Sequence, residues 1–115
     1  MNTPTPRRAT VRTSDQVAAT SEQPLGSLVG VTNRVLWSDD HSMAGLLTVA
    51  GGHRLGAHTH RAHDHHYWVV GGEATVLSAQ LNVGSYAHIP AGVEHDVDAS
   101  HTGGCTVFYV YAQPR

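Results

Sequence analysis

The sequence predicts an all-β domain, and three observations carry that expectation. The chain has 115 residues and a mass of 12.3 kDa, which is one domain's worth. Charged residues make up only 14% of it, low for a helical bundle and closer to a compact β domain. From Leu25 onward, short apolar runs alternate with Gly, Asn, Asp and Pro at roughly 8–12-residue spacing, the pattern of a sandwich or barrel.

The elements follow in chain order. Residues 1–24 are rich in Thr, Ser, Pro and Arg and poor in large apolar side chains. Such a segment buries too little to offset its ordering entropy, so a flexible N-terminal arm is expected, or one that orders against a partner. Residues 16–22 could form one weak helical turn. The folded domain is expected over 25–115, with strands near 28–31, 34–37, 44–49, 67–70, 74–77, 85–89 and 106–111. These runs are too short for helices and lack a clear 3.6-residue period. Val69, Val70, Thr75, Val76, Val107, Tyr109, Val110 and Tyr111 are β-branched or aromatic, as strands prefer. Pro90 suits a strand end, where its missing N–H does no harm. Ser78-Ala79-Gln80 is expected to form a tight hairpin turn.

Composition also excludes function classes. Seven arginines, no lysine and nine acids give a formal charge of −2, which argues against electrostatically driven nucleic-acid binding. A single cysteine, Cys105, excludes an internal disulfide framework and a cysteine-based zinc cluster; a small buried hydrophobe is expected there. There is neither a membrane-length apolar run nor a secretory apolar core. A cytoplasmic protein without a membrane partner is the expectation.

Ten residues are histidine, against roughly two or three in an average composition of this length. Five of them fall between positions 58 and 66. His58-Thr59-His60 is an H-x-H pair, and on a strand residues i and i+2 share a face, so both imidazoles can reach one ion. The neighbours give the pair its force. Gly52, five residues, His58-Thr59-His60, four residues, His65, six residues, Gly72 is one spaced motif. Gly84, five residues, Pro90-Ala91-Gly92, two residues, His95 is a second. Together they resemble the two motifs of the cupin superfamily, G-x5-H-x-H-x3,4-E-x6-G and G-x5-P-x-G-x2-H-x3-N. The resemblance covers about residues 43–111 and implies a double-stranded β-helix, the cupin jelly-roll barrel.

Two departures stand out. Ala99 takes the place of the final Asn, and the motif glutamate is missing. Either His65 or Asp64 can occupy the glutamate position. Family members usually continue from it with aromatic and apolar residues toward Gly-Glu. His66-Tyr67-Trp68-Val69-Val70-Gly71-Gly72-Glu73 fits that continuation from His65, whereas from Asp64 the aromatics fall one place late. The resemblance then implies a metal site of His58, His60, His65 and His95, a variant of the family's site. Four neutral imidazoles leave a divalent ion formally +2, a stronger Lewis acid than one with a carboxylate ligand. Imidazole suits Fe, Cu, Zn and Ni better than Mg or Ca, and Mn also occurs; one transition-metal ion per chain is expected.

Tyr67 shares the parity of His65 and should point inward near the metal, as a proton donor or a core residue. His66 and Trp68 should face the other side. His88 could face either way. By resemblance the function is that of a small metal-dependent enzyme: a dioxygenase or related oxidoreductase acting on a small chelating substrate, or a lyase or isomerase using the metal as Lewis acid. The alternative is a metal- or ligand-binding sensor. Gly103-Gly104-Cys105-Thr106-Val107-Phe108 is similar to the final strand of cupin domains in zinc-dependent anti-sigma regulators, although the 24-residue tail is too short for a sigma-binding module. Homodimerisation is expected, because so small a jelly roll has exposed edges.

Overall fold

The computed structural model describes residues 8–113, so the first seven residues of the expected arm and the last two of the expected domain lie outside it. Its elements are helix α1 (Ser14–Ala19) and strands β1 (Gln23–Pro24), β2 (Val31–Ser38), β3 (Ser42–Ala50), β4 (Asp64–Val76), β5 (Ala79–Asn82), β6 (Tyr86–Ile89) and β7 (Gly104–Ala112). The helix is short but fully capped: the Thr13 hydroxyl accepts from the Gln16 N–H, and the Gln16 side chain accepts from the Thr13 N–H. Ahead of it, Arg12 Nε donates to the Leu36 carbonyl at 2.7 Å. Beyond it, β1 pairs antiparallel with β2.

The main sheet runs β1-β2-β3-β7-β4, all antiparallel, with β6 also paired to β4. Alternation decides which side is core. On β7, Cys105, Val107 and Tyr109 are buried, whereas Thr106, Phe108 and Val110 are half-buried on the outer face. Leu47 and Val49 of β3 join the buried set, and Met43 packs against it. Strand β4 begins with His65, Tyr67 and Val69 inward; a register shift between Val69 and Gly71 then resets the parity, and Ala74 and Val76 face the core. That bulge merges two expected strands, 67–70 and 74–77, into one long bent strand. Gly72 sits in it at φ +66, and a Cβ there would lie 2.0 Å from the Gly104 carbonyl oxygen. No other residue type permits so close an approach of two backbones.

The second layer is less regular. The end of β4 pairs with β5 and, through Thr75, with Asp98. Residues 53–60 and 92–99 run alongside each other, joined by Leu55 N–H to Val97 O (3.0 Å), the reciprocal His58–His95 backbone pair (2.9 Å each way) and Gly92 N–H to His60 O (2.8 Å). The His58-Thr59-His60 pair therefore lies on an extended segment tied by an isolated bridge, not on a regular strand as expected. Gly56, at φ +99, interrupts the extended backbone just ahead of it.

Two other expectations shift. The hairpin turn between β4 and β5 is Leu77-Ser78, both at positive φ (47° and 67°), while Ala79 and Gln80 already pair with Val76 and Thr75. A two-residue turn of this hand matches sheet twist, and chain length decided it over residue preference. Residues 28–30 form a turn, and the strand begins at Val31.

Candidate metal centre

The bridge between residues 58 and 95 puts two imidazoles side by side, tilted at 56°. Their ring centroids are 4.3 Å apart. Nδ1–H of His58 donates to the Gly56 carbonyl at 2.7 Å, and Nδ1–H of His95 donates to the Val93 carbonyl at 3.0 Å. Each bond fixes the tautomer whose Nε2 carries a free lone pair, the usual orientation of a metal-ligating histidine. Two residues beyond His58, His60 brings its ring to 4.8 Å from that of His58. One donor nitrogen from each of His58, His60 and His95 lies within 4.8 Å of the other two.

His65 approaches from β4. It is 1% exposed, with its ring 3.8 Å from that of His60, 5.3 Å from that of His95, and stacked on Tyr111 at 3.7 Å. Its Nδ1 is 3.0 Å from the Tyr67 hydroxyl, which in turn lies 3.1 Å from His95 Nε2. The directions are consistent: His65 Nδ1–H donates to Tyr67 Oη, and Tyr67 donates to His95 Nε2, a bond that a metal ion at that nitrogen would displace. His65 Nε2 is then a buried lone pair with no hydrogen-bond partner. An unsatisfied buried acceptor costs about 1–3 kcal/mol, and a cation is the natural group to satisfy it.

Burial also sets the protonation states. It pushes His65 down to about 3 and His60 down to about 4, and lowers His95; neighbouring imidazoles add to the shift of all three. Neutral, clustered imidazoles with free lone pairs fit a divalent transition metal. Burial raises the Tyr67 phenol well above its ordinary value, so it keeps its proton.

The remaining sequence candidates sort by position. The Asp64 carboxylate accepts the Ala91 N–H at 2.8 Å and so braces the Pro90-Ala91-Gly92 turn. Tyr67 is fully buried beneath the imidazoles. His66 and His88 pair across β4 and β6 on the outer face, stacked at 4.8 Å, with the His66 ring also 2.6 Å from the Tyr86 hydroxyl. Trp68 lies on that same face, 39% exposed. A cavity of about 490 Å³ opens above the cluster, lined by Leu25, Leu28, Leu55, Gly56, Ala57, His58, His60 and Tyr111. Leu25 and Leu28 were not foreseen as lining residues: Leu28 was expected in a strand, and both lie in the irregular segment ahead of β2. Tyr111 had one: it shares the parity of buried Cys105, Val107 and Tyr109.

A sheet of this topology, with histidines from two spaced motifs brought into one cluster, defines a cupin. The chain belongs to the ChrR cupin-like domain family, which it matches over residues 10–114. It is similar in structure to an RmlC-like cupin from Shewanella frigidimarina (23% identity, 85% of this chain and 87% of that one, TM-score 0.72). It is also similar to the polyketide cyclase RemF from Streptomyces resistomycificus (16% identity, 91% and 83%, TM-score 0.75). A third similar structure is the anti-sigma ChrR in complex with SigE, from Rhodobacter sphaeroides (21% identity, 81% and 49%, TM-score 0.67). No curated protein matches the chain. No helix among the described residues is long and apolar enough to cross a membrane.

Proposed function

We propose that the chain is a metal-dependent cupin enzyme in which His58, His60, His65 and His95 hold one divalent transition-metal ion. A small chelating substrate would enter from the 490 Å³ cavity. The observation that carries this is the group of His58, His60 and His95, whose donor nitrogens lie within 4.8 Å of one another, with the buried, unpartnered His65 imidazole next to His60 and His95. When bound, the ion supplies Lewis acidity and, if redox-active, an electron-transfer centre. The chain's own residues do the rest. Gly56 and Val93 carbonyls orient His58 and His95. Tyr67 retains its proton and orients His65 through Nδ1; its bond to His95 Nε2 would give way to the ion, leaving a protonated phenol beside the site. Tyr111 presents its ring to the cavity.

No carboxylate lines the cavity among the described residues, and Asp64 is engaged with Ala91. This supports metal-centred oxidoreductase, lyase or isomerase chemistry over a carboxylate general base. A homodimer is part of the proposal, supported by the exposed Trp68, Val70 and Tyr86 on the outer face of the main sheet.

The family match favours a second function, metal or ligand sensing without turnover. Metal-reconstituted protein assayed for product and oxygen uptake with small chelating substrates separates the two. Turnover that a His58→Ala, His95→Ala variant lacks is the expected result. Stoichiometric ligand binding with no turnover would overturn the catalytic proposal.

A further inference from the structure

The cavity's lining divides by chemistry. His58, His60 and Tyr111 bring its polar side chains. The rest is Leu25 and Leu28, from the segment leading into β2, with Leu55, Gly56 and Ala57 on the segment before His58. Among the described lining residues there is no arginine, lysine, carboxylate or side-chain amide. Arg54, nearby in sequence, is committed to Asp96, with Nε to Oδ2 at 2.7 Å.

From this we infer that the site takes an oxygen chelator with an apolar alkyl or aryl body and at most one negative charge. The inference rests on the metal-binding proposal for the same histidines. Each hydroxyl of a buried sugar acid would need a protein partner, or its desolvation goes uncompensated. A phosphate calls for guanidinium or several N–H donors. The cavity offers neither. What it offers is aliphatic surface, part of which lies open: Leu28 is 41% exposed, and an apolar body seated over the metal would cover it. The volume, about 490 Å³, falls within the roughly 300–1,000 Å³ of small-molecule sites.

The test uses the full chain loaded with cobalt(II), whose visible bands report occupancy and ligand exchange without turnover. It is titrated with acetohydroxamate, benzohydroxamate and galacturonate. The two hydroxamates share one chelating group, so a difference between them reports the apolar lining. Burying a phenyl-sized group should tighten benzohydroxamate by about 10–100-fold over acetohydroxamate, with galacturonate weaker than either. Leu28→Asp should bring the hydroxamates within about three-fold of each other. Its ligand-free cobalt bands check that the histidine cluster is intact. Wild-type hydroxamates within about three-fold, or galacturonate as the tightest ligand, would overturn the inference while the metal site stands. Absence of cobalt bands in the wild type would overturn the metal site, and the inference with it.

Discussion

Replacing His65 by Phe should flatten the acid side of the metal-free protein's stability profile. His65 is 1% exposed and its folded pKa is pushed down to about 3, first by burial and then by the imidazoles of His60, His95 and His58. In the unfolded chain the same ring titrates near 6.5. The folded value is the lower one, so as pH falls the unfolded chain takes up the proton first. His65 therefore costs nothing above about pH 7 and drains stability as pH drops from 6.5 toward 3. At pH 5 the gap is about one and a half units, and at about 1.36 kcal/mol per unit the loss is about 2 kcal/mol. Phenylalanine keeps the stack on Tyr111 and carries no titrating group. It overfills the site somewhat and forfeits the bond to Tyr67, but these costs do not vary with pH and cancel in the comparison. Urea unfolding in the presence of a chelator, at pH 7.5 and 5.0, measures both proteins. The wild type should lose about 2 kcal/mol more than the variant between the two pH values. Equal losses would refute the burial of a neutral imidazole at position 65.

Three further outcomes follow from the structure. Gly72→Ala should destabilise the fold by about 2–5 kcal/mol in the same unfolding assay, from left-handed backbone strain at φ +66 and from the β7 shift needed to clear the Gly104 carbonyl; a loss under about 0.5 kcal/mol would contradict the bulge. Cys105 is 3% exposed and burial pushes its thiol up to about 11, so iodoacetamide at pH 8 should leave it unmodified in native protein and alkylate it in urea. Light scattering at micromolar concentration should give the mass of a dimer, and Trp68→Glu should lower it; a wild-type monomer would rule the dimer out.

The all-β class and the grouping of histidines from two spaced motifs were legible in the chain. Alternation gave Tyr109 and Tyr111 equal parity but not their face, which the packing of β7 against β3 and β4 decides. What was not legible arose from contacts distant in sequence. The bulge at Gly71-Gly72 reset the parity of β4 because Gly104 approaches from another strand, so the 74–77 run could not be joined to 67–70 from local pattern. The type of turn at Leu77-Ser78 follows from the β4–β5 register, against residue preference. Leu25 and Leu28 line the cavity only because the chain ahead of β2 folds back across its mouth. The choice between Asp64 and His65 rested on flanking residues; in the fold the Asp64 carboxylate accepts from Ala91, and His65 Nε2 is buried without a hydrogen-bond partner.

On the proposal above, these imidazoles hold one metal ion. Elemental analysis of protein purified without a histidine tag or metal-affinity resin checks this, with the His58→Ala, His95→Ala variant beside it. About one transition-metal ion per wild-type chain and none in the variant is expected. Wild-type protein that carries no metal, and takes up none on reconstitution at pH 7.5, would contradict it.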